Sequence, residues 1–75
     1  MKLFMIKNST NYYIGRKIIL RRKFLGLERE DLAKIAGIDA YQLERFEEGF
    51  DYPDPDSLLK IATALKTETG YFFID

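Results

Sequence analysis

Cysteine, histidine and tryptophan are absent from the 75 residues, and proline occurs only twice. Without cysteine there is no disulfide staple, no thiolate nucleophile and no Cys-ligated zinc. Without histidine, the side chain most suited to proton transfer near neutral pH and to metal binding is missing as well. No remaining set of residues offers a converging nucleophile, base and oxyanion donor, so the sequence argues against an enzyme and against any metal or other cofactor. Long hydrophobic runs are lacking too. Leu3-Phe4-Met5-Ile6 is too short for a membrane span or a signal-peptide core, and the expectation is a soluble, cytoplasmic protein with no membrane partner. A chain of this length holds one domain, expected to occupy residues 1–75, with residues 1–12 as an N-terminal arm and 13–74 as its body.

Net charge is also lacking, but its distribution is uneven. Residues 1–29 carry eight basic side chains against Glu28, whereas the remainder carries four against eleven acids. A basic half points to nucleic-acid contact, and a solvated network of ion pairs between the halves accounts for it equally.

The five glycines and two prolines fall as punctuation between periodic segments. Tyr13 to Leu25 places Ile14, Ile18 and Leu25 on one helical face and stops at Gly26. A two-turn helix runs from Glu28 or Arg29 to Ala36, with Glu30 and Asp31 in its first turn, where the helix dipole favours acids, and Gly37 at its end. Asp39 is a suitable N-cap for a third helix reaching Glu48, with Leu43 and Phe46 inward and Gly49 as terminator. Asp54-Pro55-Asp56 opens a fourth, in which Leu58, Leu59, Ile61, Ala62 and Leu65 form the apolar stripe. Thr67 to Ile74 reads as a short helix or an irregular aromatic tail, and residues 1–7 as a strand-like arm.

The stretch from Arg29 to Glu47 carries the most information. Its apolar residues Leu32, Ala33, Ala36, Ile38, Leu43 and Phe46, with Gly37 between them, stand at helix-turn-helix spacing. Two helices crossing steeply need a small residue at the contact, supplied by Ala33, and a turn residue that tolerates positive φ, supplied by Gly37. Around this core lie Ile14-Gly15, Arg22-x-x-Leu25-Gly26-Leu27, Glu47-x-Gly49-x-x-x-Pro53, Leu58-Leu59-Lys60-Ile61-Ala62 and Ala64-Leu65. Together these segments resemble the Cro and phage-repressor (XRE) family of helix-turn-helix regulators over residues 14 to 74.

The resemblance implies an all-α, five-helix, lambda-repressor-like bundle and a repressor-like regulator that binds double-stranded DNA as a homodimer. It lays the helix from Asp39 to Glu48 in the major groove, with Ala40, Tyr41, Gln42 and Arg45 nearest the bases. Gln42 would pair with adenine, Arg45 with guanine, and Ala40 and Tyr41 would touch a thymine methyl. Arg29 and Tyr52 are further candidate DNA contacts, Arg29 through a phosphate. Arg22 and Glu47 stand where the family often has a partly buried ion pair. Departures are equally plain: Glu28 and Arg29 replace the usual Ser or Thr followed by Gln, and Phe50-Asp51-Tyr52 replaces the usual basic or amide residues after the third helix.

That acidic, aromatic surround supports an alternative, a protein-binding module such as an antitoxin or anti-repressor gripping its partner through Glu44, Glu48, Phe50 and Tyr52. Asp51, Asp54 and Asp56 lack the turn glycine and terminal Glu of a calcium loop, so Asp54 or Asp56 is read as a helix cap. Tyr71-Phe72-Phe73-Ile74 cannot all face inward on a short helix, and the surplus is a candidate dimer interface; the arm folding over it within one monomer is the other reading.

Overall fold

The computed structural model describes residues 9–74, and the proposed strand-like arm at residues 1–7 lies outside them. The element order is α1 (Ser9–Phe24), α2 (Arg29–Ala36), α3 (Ala40–Glu48), α4 (Pro55–Ala64) and a short 3₁₀ helix (Thr69–Phe73). Among the described residues there is no strand, and the expected fifth α-helix is replaced by the 3₁₀ turn.

Chain chemistry explains each boundary. Residues 9–12, assigned from sequence to the arm, instead form the first turn of α1. Neither Gly nor Pro interrupts them, and Arg16 and Lys17 reach back one turn over the rings of Tyr12 and Tyr13, each 5.8 Å from the centroid. Asp39 caps α3, its Oδ2 accepting from the N–H groups of Tyr41 at 3.0 Å and Gln42 at 3.2 Å. Asp54 caps α4, its Oδ2 accepting from the Ser57 N–H at 3.4 Å, and its Oδ1 accepts from the Ser57 hydroxyl at 2.6 Å. That bond, aided by backbone N–H groups, holds the Asp54 carboxyl below its usual range. Gly37 and Gly49 end α2 and α3 at φ 76° and 85°, and the chain folds back on itself at both places. At the end of α4 the same left-handed position falls to Lys66, φ 59°.

The core is one cluster: Ile14 and Ile18 of α1, Leu32 and Ala33 of α2, Leu43 and Phe46 of α3, Leu58, Ile61 and Ala62 of α4, then Leu65 and Phe72. Leu59, expected in the apolar stripe, is exposed. Positions 58, 61, 62 and 65 already form one inward row, and a neighbour of Leu58 is turned about 100° away from it. Ala36, Ile38 and Leu25 are only half-buried.

α1 and α3 approach at Gly15. A Cβ there would overlap the backbone carbonyl oxygens of Phe46 and Glu47, groups that cannot swing aside as a side chain can. Gly15→Ala is therefore expected to push α3 away from α1 and to cost about 1–3 kcal/mol, read as a lowered urea midpoint. An unchanged midpoint would show that the two helices part freely.

The tail is fastened from α1. Arg21 donates from Nε to the Leu65 carbonyl at 2.9 Å and from Nη2 to that of Lys66 at 3.1 Å. Lys17 lies 4.1 Å from the Tyr71 ring centroid, and the Tyr13 hydroxyl donates to the Ile74 carbonyl. Among the described residues no helix is long and apolar enough to cross a membrane.

Candidate nucleic-acid interface

The turn Gly37-Ile38-Asp39 sets α3 across α2, and the cap at Asp39 leaves the solvent-facing side of α3 to Tyr41, Gln42, Glu44, Arg45 and Glu48. What holds this helix rigid is beneath it. Glu47 is 1% exposed, and its Oε2 accepts from Arg22 Nε at 2.8 Å while Oε1 accepts from Arg22 Nη2 at 3.1 Å. Arg22 Nη1 in turn donates to the Leu27 carbonyl at 3.0 Å, so α1, the α1–α2 turn and α3 meet at one fork. Arg22 is buried because it continues the inward row of Ile14 and Ile18 at i+4 and i+8. No buried side-chain nitrogen or oxygen among the described residues lacks a partner.

Arg29, proposed from sequence as a phosphate contact, sits on the same carboxylate. Its Nε donates to Glu47 Oε1 at 3.0 Å, with Glu44 at 3.7 Å and Glu48 at 3.9 Å. Partial burial pulls its pKa down, but the hydrogen bond and charge of Glu47, joined by Glu44 and Glu48, outweigh that and raise it. Arg29 thus serves as the counter-charge to three acids of α3, a role the sequence reading did not assign.

Tyr41 is 64% exposed, Gln42 and Arg45 are half-buried, and Ala40 packs in part against the core. Gln42 and Arg45 converge on Asp51. Gln42 Nε2 donates to Asp51 Oδ2 at 3.0 Å; Arg45 donates from Nε to Oδ2 at 2.7 Å and from Nη2 to Oδ1 at 3.2 Å. The Phe50 ring lies 5.2 Å from the Arg45 guanidinium. The hydrogen bonds from Arg45 and then Gln42 hold the Asp51 carboxyl below its usual range, and Asp51, followed by Tyr41, raises the pKa of Arg45.

Asp51 was missed because it reads as a misplaced acid in a loop. The signal was Gly49. Its left-handed backbone turns the chain so that the Phe50 and Asp51 N–H groups both point at the Arg45 carbonyl, at 2.9 and 3.4 Å, which delivers residue 51 to the last turn of α3. Tyr52, the remaining candidate DNA contact, is exposed beyond it, as is Phe50. Among the described residues no group of acids is placed to hold a metal ion.

Of the four tail residues proposed as a dimer interface, Phe72 is wholly buried and has no surface to offer a second copy. Phe73 and Ile74 are exposed and Tyr71 is half-buried.

A family model described as helix-turn-helix matches residues 18–72. A transcriptional regulator in the ATPase CF(0) region of Rhodospirillum rubrum is 33% identical, the match covering 84% of this chain and 58% of that protein. An HTH-type transcriptional regulator of Sinorhizobium medicae is 31% identical over 91% of this chain and 49% of its own. The chain spans about half the length of the curated relatives it matches. The crystal structure of the restriction-modification controller protein C.AhdI from Aeromonas hydrophila superposes with a TM-score of 0.85 at 29% identity, covering 88% of this chain and 100% of that one. The DNA-binding domain of the P22 C2 repressor gives 0.77 at 27% identity, with 80% and 79% covered.

Proposed function

Because the chain belongs to the helix-turn-helix family, we propose that it is a cytoplasmic, non-enzymatic transcriptional regulator that reads double-stranded DNA with α3 in the major groove. One observation carries this reading: Tyr41, Gln42 and Arg45 form a single outward strip on a helix clamped from below by the buried Arg22–Glu47 pair. Long side chains on a rigid helix suit base recognition, since each arrives at the groove edge without the scaffold yielding. In this reading Arg45 donates to a guanine and Gln42 pairs with an adenine, with Tyr41 and Ala40 against thymine methyl groups. Tyr52, exposed beyond the strip, and Arg29, held against Glu47 beneath α3, would be further DNA contacts in this reading. Binding is as a homodimer through the exposed Phe73 and Ile74 with Tyr71, with half-sites about 34 Å apart.

Fluorescence anisotropy with genomic fragments at low salt tests the reading. Arg45→Ala is expected to weaken binding to a preferred fragment by about 10- to 100-fold and binding to bulk DNA by a smaller factor, through the lost charge alone. No binding to any fragment at micromolar protein would overturn it.

A second reading rests on the exposed Phe50 and Tyr52 among Glu44, Glu48 and Asp51, a surface suited to a protein partner such as a toxin or a repressor. A stoichiometric partner lost on Phe50→Ala with Tyr52→Ala, from a protein that binds no DNA, would select it.

A further inference from the structure

We propose that Asp51 is a positioning residue for base reading: it holds Arg45 and Gln42 together before DNA arrives and so sets sequence preference. This rests on α3 being the reading helix.

Arg45 has five N–H groups, of which Asp51 takes one from Nε and one from Nη2, a side-on bidentate pair. The end-on edge, formed by Nη1 with the second N–H of Nη2, lies outside that pairing. It is an edge that can meet guanine O6 and N7. Gln42 gives Asp51 one N–H of Nε2 and keeps its carbonyl oxygen and the other N–H, the acceptor and donor that adenine N6 and N7 require. One carboxylate therefore engages both side chains while leaving the Nη1 group of Arg45 and the carbonyl oxygen of Gln42 outside its pairing, with the Tyr41 hydroxyl a second neighbour of the guanidinium. Asp51 is itself fixed, its N–H on the Arg45 carbonyl through the turn at Gly49. The Phe50 ring packs 5.2 Å from the guanidinium and further limits its rotamers.

Two consequences distinguish this role from that of an ordinary surface acid. Long side chains ordered in advance lose less conformational freedom on binding, so preference for the right base pairs sharpens. At the same time a negative charge beside the phosphates weakens attachment to DNA of any sequence. Asp51 thus exchanges general affinity for discrimination.

The test compares the full chain with Asp51→Ala and Asp51→Asn by selection from a random-sequence duplex pool, followed by binding to the enriched duplex and to the unselected pool. The wild-type chain enriches a motif. In Asp51→Ala the ratio of enriched to pool affinity falls about tenfold, through loss of preference at the positions read by Arg45 and Gln42, while affinity for the pool rises and its salt dependence steepens. Asp51→Asn, which keeps an acceptor without the charge, retains part of the ratio and serves if the alanine variant does not fold. Thermal melts verify that the variants are folded. An unchanged ratio in a folded variant overturns the proposal and leaves DNA reading standing. No motif enriched by the wild-type chain overturns both.

Discussion

Glu47→Ala is expected to destabilise the domain by about 3–5 kcal/mol, a large share of the roughly 4–11 kcal/mol that a chain of 75 residues ordinarily has. The loss arises less from the pair itself than from what is left behind. Arg22 is 7% exposed and would retain only the Leu27 carbonyl, so a guanidinium would stay buried with Nε and Nη2 unpaired. Arg29 would lose its shortest contact as well and face Glu44 and Glu48 alone. Replacing both members of the pair by apolar residues of similar length, Arg22→Met with Glu47→Leu, removes the uncompensated charge and is expected to recover most of the stability. Urea denaturation of the two variants provides the check. A loss below about 1 kcal/mol in the single variant would mean that water reaches Arg22 and the pair is a surface bridge.

Phe72→Ala carries the second large effect, about 3–5 kcal/mol, because its ring is wholly buried in the one core cluster and its loss leaves a cavity there. Its neighbour gives the contrast. Phe73 is half exposed, and Phe73→Ala is expected to cost under about 1 kcal/mol in a monomer. The pair of variants separates the tail's two proposed roles: Phe72 closes the core, and Phe73 with Ile74 is left for a second copy. Equal losses in dilute protein would show that both rings are buried.

The parts of the fold legible in the sequence were those set by local chemistry. Ala33 at the helix crossing, Gly37 in the turn, Asp39 and Asp54 as caps and Gly49 as terminator each satisfy a requirement of their immediate neighbours, and each stands where its residue type predicts. The Arg22–Glu47 fork was anticipated only through family resemblance, since nothing local to either residue names a partner 25 positions away. The features that were not legible depend on longer-range placement. The tail forms a 3₁₀ turn instead of a fifth α-helix because few residues separate Lys66 from Phe72. Phe72 must reach the core across Gly70, and an i→i+3 bond from the Tyr71 N–H to the Glu68 carbonyl tightens that path. On α1 periodicity placed Ile14 and Ile18 inward as the structure does, but the apolar Leu20 and Phe24, which lie off that row, are exposed.

At the candidate site the sequence named the strip proposed to read bases, and its two departures from the family pattern take on a different meaning in the structure. The basic residue opening α2 and the acid after α3, Arg29 and Asp51, both turn toward α3, one from below against Glu47 and one at its outer edge against Arg45. Glu44, Glu47 and Glu48 thus share the charges of Arg22 and Arg29 while Asp51 takes that of Arg45, so the acidic surround is paired only in part and still opposes a phosphate backbone.

Methylation interference on an enriched duplex tests the central claim most directly, because dimethyl sulfate marks guanine N7 in the major groove and adenine N3 in the minor groove. With Arg45 on α3 reading a guanine, N7 methylation at one guanine per half-site is expected to abolish binding, and Arg45→Ala to become insensitive to that mark. Interference confined to adenine N3, or none at all on a duplex the protein binds, would contradict major-groove reading by this helix.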